Sequence, residues 1–172
     1  MRNFIAGIVA ALVLIPAAVL GYYVSGCAQT RSDLKPSAWE TRIMTFAVRK
    51  AVRHNASRIS KPELGVNESI NTELVAGGKL YVLGCVGCHG DPAKPFKEDH
   101  ENFPPAPQLP HVGTQYSDPE LYWVVKHGIR MTGMSAYGPF YSDRELWSLA
   151  AFLRRINNLP PEVLSAIQTN KK

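Results

Sequence analysis

The sequence predicts an all-α protein: a transmembrane helix, a basic amphipathic helix, then a compact domain of three to four helices. Three observations carry this expectation. Phe4 to Val24 is a run of 21 residues without a charged or strongly polar side chain. Further on, apolar residues recur every three to four positions, which places them on one face of a helix. Between those segments stand Pro, Gly and Asn clusters that interrupt regular structure. With 172 residues in all, the part outside the apolar run has room for one domain of modest size. The expected divisions are 1–27 (membrane anchor or lipoprotein-type signal), 28–67 (basic helical connector and linker), 68–162 (folded domain) and 163–172 (C-terminal tail).

A helix over Phe4–Val24 would be about 31 Å long at 1.5 Å per residue, enough to cross a hydrocarbon core. Pro16 can kink such a span without excluding it. Arg2 supplies the short basic start of an export signal. The run ends in "VSGC", and Cys27 there resembles the processed, lipidated cysteine of bacterial lipoproteins. An uncleaved anchor, a lipoprotein and a released domain are the three alternatives.

The net charge of +5 is unevenly placed. Residues 28–66 hold eight Lys or Arg against three acidic residues, whereas 67–172 hold ten basic and eleven acidic. The basic character therefore belongs to the connector. No recognition motif accompanies it, and nucleic acid is not an expected partner. Within the connector, Trp39, Ile43, Met44, Phe46 and Val52 recur at helical spacing with Arg and Lys between them, which predicts a helix over about 38–59 capped by Ser37. It is either an interfacial helix on anionic membrane lipid or a face packed on the folded domain. Pro62, Gly65 and Asn67 then mark a linker, with the domain starting near Glu68.

The domain holds "GCVGCHG": Cys85 and Cys88 two residues apart, with His89 directly after. Zinc, a redox dithiol and covalent haem are the candidate chemistries. Structural zinc needs about four ligands, and no second cysteine pair exists. A redox dithiol exploits a thiolate pKa lowered at a helix start; here the pair instead follows a helix-like segment, and the adjacent His89 adds a metal ligand. Two thiols and a following imidazole suit attachment of haem c: two thioethers to one side of the porphyrin and an axial nitrogen from His89. In bacteria that attachment takes place outside the cytoplasmic membrane. The expected location is thus the bacterial cytoplasmic membrane, with the haem domain facing the periplasm.

A sixth iron ligand is sought in "HGIRMTGMSAYG". Met134, between Gly133 and a small residue, is the first choice; Met131 is an alternative with an ordinary role as core filler, and His127 ends a helix expected from about Pro119. His54, His100 and His111 have no supporting pattern. The proline-rich segment "ENFPPAPQLPHVG" can wrap one edge of the cofactor, with Leu109 as an apolar contact and the carbonyl of Pro105 or Pro107 receiving the His89 ring N–H.

Two further helices complete the domain: about Ile70 to Leu83, leading into the cysteines, and Asp143 to Ile156, opened by a Ser142/Glu145 capping box. Leu146, Leu149, Ala150, Leu153 and Ile156 trace one apolar face of the latter. Gly77 would allow these two helices to cross closely, with Phe152 against it.

Together "GGKLYVLGCVGCHG", the proline loop, "HGIRMTGMSAYG" and "SDRELWSLAAFLRRI" resemble the monohaem class I cytochrome c family over about Asn71 to Pro160. The resemblance implies a cytochrome c-like fold around one covalent haem. It makes Cys85 and Cys88 the haem-linking residues, His89 and Met134 the axial ligands, and Gly77 and Phe152 the pair at the helix crossing. Ser135 stands where proline often follows the ligand methionine. The implied function is one-electron transfer between periplasmic or membrane-bound donor and acceptor proteins, not enzymatic catalysis. Alternatives are a haem peroxidase or reductase, a small-ligand sensor, or a structural cytochrome subunit of a larger membrane redox complex.

Overall fold

A computed structural model describes residues 2–28, 31, 34–60, 62, 70–96 and 104–168. Gly65, Asn67, Glu68 and His100 lie outside the described residues. Among the described residues every regular element is helical. The chain divides into two compact units, Met1–Ser32 and Asp33–Lys172.

The first unit is helix α1 (Arg2–Val24), which passes through Pro16 without a break. Its apolar stretch Asn3–Val24 is long enough to cross a membrane, at about 33 Å, and none of it is buried against protein. Cys27 follows it, exposed.

The second unit contains α2 (Ala38–Ala56), α3 (Ile70–Gly84), α4 (Val86–His89), α5 (Leu109–Val112), α6 (Asp118–His127), α7 (Asp143–Leu153) and α8 (Pro161–Gln168). Local chemistry sets the helix starts. Ser37 Oγ accepts the Glu40 amide at 3.4 Å to open α2. Ser142 and Glu145 form the expected box on α7, where the Glu145 carboxylate accepts the Ser142 amide at 2.8 Å. Ser117 and Glu120 make an equivalent box on α6. Each such cap satisfies amides that the first helical turn leaves without partners.

The core forms where α3 and α7 cross, the most extensive helix packing in the domain. Leu74, Tyr81, Leu146, Leu149 and Phe152 are buried there almost completely. A methyl group at Gly77 would fall onto the Ser148 carbonyl and within 2.9 Å of the Leu149 nitrogen, so the two backbones approach as closely as only glycine permits. The Phe152 ring lies over Gly78 and beside Tyr81, with ring centroids 5.4 Å apart. The expected crossing is present: the atoms nearest a β-carbon at Gly77 belong to the α7 backbone, and those of the Phe152 ring come against Gly78.

Sequence periodicity marks one apolar face on α7, yet residues 146–153 are all buried. The helix is enclosed by α3 on one side and α6 on another. Tyr122 of α6 stacks on Trp147 at 4.3 Å, while its hydroxyl donates to Asp143 at 2.7 Å. Lys126 Nζ donates to the same carboxylate at 2.7 Å, tying the end of α6 to the start of α7.

One expected boundary changes. The tail expected at 163–172 begins inside α8, whose Val163 and Ile167 are buried against the core; Ile167 Cγ2 lies over Gly78. The connector helix packs one face on the domain, which is one of its two expected readings: Val52 and Ala56 of α2 are buried, α2 contacts α6, and Arg53 pairs with Glu120 at 3.6 Å.

Two predictions follow from this packing. Gly77→Ala is expected to cost roughly 3 kcal/mol in chemical denaturation, because backbone must move; Gly78→Ala is expected to cost less, since the Ile167 and Phe152 side chains can turn aside. Asp143 is held below the usual carboxylate range first by the Lys126 ammonium and then by the Tyr122 hydroxyl. Its folded value is depressed, so its contribution is present above the unfolded value and is lost as pH falls through the folded one. The melting temperatures of wild type and Asp143→Asn should therefore differ at neutral pH and converge in acid.

Candidate cofactor-binding site

Helix α3 runs straight into the cysteine motif. Cys85 N donates to Tyr81 O at 2.9 Å, and His89 N donates back to Cys85 O at 2.8 Å, so Cys85 through His89 form one helical turn. Gly90 ends that turn with φ 89°, which favours glycine. Cys85 is buried at the end of the core, Cys88 is exposed and His89 is half-buried. Burial, with the neighbouring Cys88 second, pushes the Cys85 thiol up to about 11. A redox dithiol requires the opposite shift, toward thiolate.

His89 Nδ1 lies 3.0 Å from the carbonyl oxygen of Pro107. Of the two acceptors considered from sequence, Pro107 is the one used. With its proton on Nδ1 and donated to that carbonyl, the ring presents Nε2 as the nitrogen with a free lone pair.

Three side chains that sequence reasoning missed hold the carbonyls of this turn. Tyr81 Oη donates to Gly90 O at 2.6 Å, Gln108 Nε2 to Cys88 O at 2.9 Å, and Tyr137 Oη to Gly84 O at 3.0 Å. They come from α3, the proline segment and the loop before α7, so the turn is fixed from three directions. Tyr81 is buried, which raises its hydroxyl pKa and keeps it a donor. A buried polar group must find a partner; Gln108, polar amid prolines, was the available signal.

The segment after α6 folds back on the helix end. Tyr137 N and Gly138 N donate to Val125 O and Lys126 O, each at 3.0 Å, and Ile129 N donates to Met134 O at 3.0 Å. A side chain at Gly128 (φ 67°) would meet Met134 O at 2.6 Å, so glycine is required there. Met134 is half-buried, and its amide donates to Thr132 Oγ1 at 3.1 Å. Met131 is not a core filler: it is 88% exposed with φ 59°. Tyr137, three residues after Met134, is close enough to both cysteines for their charges to raise its pKa behind the larger effect of burial. The fold thereby brings the Met134 segment to the cysteine turn.

Leu83, Val112 and Phe140, on the segments that carry these groups, leave large apolar side chains exposed. Two thiols at i and i+3, an oriented imidazole, a methionine-bearing loop tied to the turn through Tyr137, and uncovered apolar surface suit a covalently held porphyrin. Among the described residues no three or more His, Cys, Asp or Glu converge as a cage for a metal ion; an iron already held by a porphyrin draws axial ligands only. His127 ends α6 exposed, its ring 5.2 Å from Trp123. His54 is exposed on α2, and exposed His111 meets Phe96 edge-on at 5.6 Å.

Gln108→Ala removes the donor to Cys88 O and is expected to lower stability by roughly 1–3 kcal/mol, read by thermal denaturation. An unchanged melting temperature would show that the turn holds its shape without that bond.

Residues 72–153, just under half of the chain, match the family described as cytochrome C oxidase, cbb3-type, subunit III. No curated protein matches the chain, and no solved structure does. The matched segment runs from the start of α3 to the end of α7 and includes the cysteine turn, the proline segment and the methionine loop.

Proposed function

We propose that this chain is a membrane-attached cytochrome subunit of a larger respiratory redox complex, carrying one covalent haem c and passing single electrons. The likeness of residues 72–153 to an oxidase subunit favours a component of an assembly over a free-standing carrier. The observation that carries the reading is the His89 ring, held by Pro107 O at 3.0 Å on the turn that bears Cys85 and Cys88.

Cys85 and Cys88 would hold the porphyrin by thioethers, and His89 Nε2 and the Met134 sulfur would ligate its iron. Haem held there would supply one-electron redox chemistry. The Pro107 carbonyl orients His89 and raises its donor strength. Tyr81, Gln108 and Tyr137 keep the turn from shifting. A neutral thioether from Met134 would favour the reduced state and raise the potential above that expected with a second imidazole. No side chain is required as a general acid or base. Donor and acceptor are redox proteins of the membrane or the periplasm.

Met134→Ala is expected to lose the Met-ligated low-spin absorption spectrum and to lower the reduction potential, while Met131→Ala changes neither. A Met134→Ala protein with native spectrum and potential would remove Met134 from the ligand set. Co-purification in mild detergent tests the assembly: migration as a lone chain under conditions that preserve other respiratory complexes would contradict it.

A further inference from the structure

Helix α2 has two faces with different fates. Val52 and Ala56 are buried against α6, with Val48 half-buried beside them. At 100° per residue, Trp39, Ile43 and Phe46 lie about 150° around the helix from that docked strip. They are 68%, 56% and 64% exposed, although each is large and apolar. Arg42 borders them, and Lys50 continues their strip with its ammonium 5.7 Å over the Phe46 ring. Glu40 is the sole acidic residue of the helix.

We propose that this outward face of α2 lies on an anionic phospholipid surface. Two observations select lipid as the occupant. Charge is the first: an apolar strip bordered by Arg and Lys matches acyl chain beneath anionic headgroup, the aromatic and aliphatic groups entering the interface while the long basic side chains reach the phosphates. Chain length is the second. Thirteen residues separate the end of α1 at Val24 from the start of α2 at Ala38, a reach of at most about 45 Å at roughly 3.5 Å per residue. With α1 in the bilayer, or Cys27 lipidated, α2 stays within that distance of the headgroups. The lipid contact and the α6 contact use different faces and coexist. The proposal does not depend on haem chemistry.

The test uses the full chain in bilayer discs. Trp39→Phe isolates the Trp39 signal from the other two tryptophans of the sequence. When phosphatidylglycerol with brominated acyl chains replaces the ordinary lipid, Trp39 emission is expected to fall roughly two-fold, as for a side chain at the acyl boundary. The fall should shrink in phosphatidylcholine alone. It should also shrink for Arg42→Gln/Lys50→Gln, both substitutions being on the exposed side. Equal emission in brominated and ordinary discs, with fast amide exchange over 38–46, would overturn the proposal. So would slow exchange there without quenching, which marks a protein cover: a second copy or a neighbouring subunit.

Discussion

The contact between the α3 and α7 backbones at Gly77 is the constraint on which the rest of the domain depends. Without a side chain at that position, Ser148 and Leu149 come against α3, and the flanking Leu74, Tyr81, Leu146 and Phe152 close over the gap. Any β-carbon there would push the helices apart and open the core along its length, because packed interiors respond to volume changes of a single methylene. Since α3 continues into Cys85 with one unbroken hydrogen bond from Cys85 N to Tyr81 O, the crossing also sets where the cysteine turn stands.

The turn is held by hydrogen bonds to its carbonyls as well as by Cys85 and Val86, which pack on the core. Gly84, Cys88 and Gly90 offer carbonyls at the end of a helix, where intrahelical donors have run out. Tyr137, Gln108 and Tyr81 supply the missing donors from three separate parts of the chain. Two of these parts, the segments of Gln108 and Tyr137, also bring Pro107 to His89 and the Met134 loop toward the cysteine turn. Holding the turn and furnishing the proposed axial groups are thus one structural act: displacing the proline segment would loosen both Cys88 and the His89 ring.

Likeness to an oxidase subunit covers α3 to α7 and stops short of α2. Yet α2 belongs to the compact unit, tied to it by Val52, Ala56 and the Arg53–Glu120 pair. A pair whose Arg53 side stands largely in solvent contributes little by itself; the buried apolar side chains do most of the docking. Helix α2 is therefore packed on the domain toward its C-terminal end and presents an open amphipathic surface toward its N-terminal end.

By itself the sequence determined what is local. The apolar run over α1, the caps at Ser37 and Ser142, the turn-forming Cys85–His89 spacing and the apolar strip of α7 all follow from neighbours within about one helical turn, where side-chain periodicity and unsatisfied amides act directly. Tertiary structure alone decided what depends on distant partners. It chose Pro107 over Pro105, placed Phe152 on Gly78, exposed Met131, folded α8 into the core and recruited Gln108. Each of these depends on which surface arrives opposite a residue, and that is fixed by how whole helices pack, through contacts between positions 18 to 89 residues apart that no local pattern encodes.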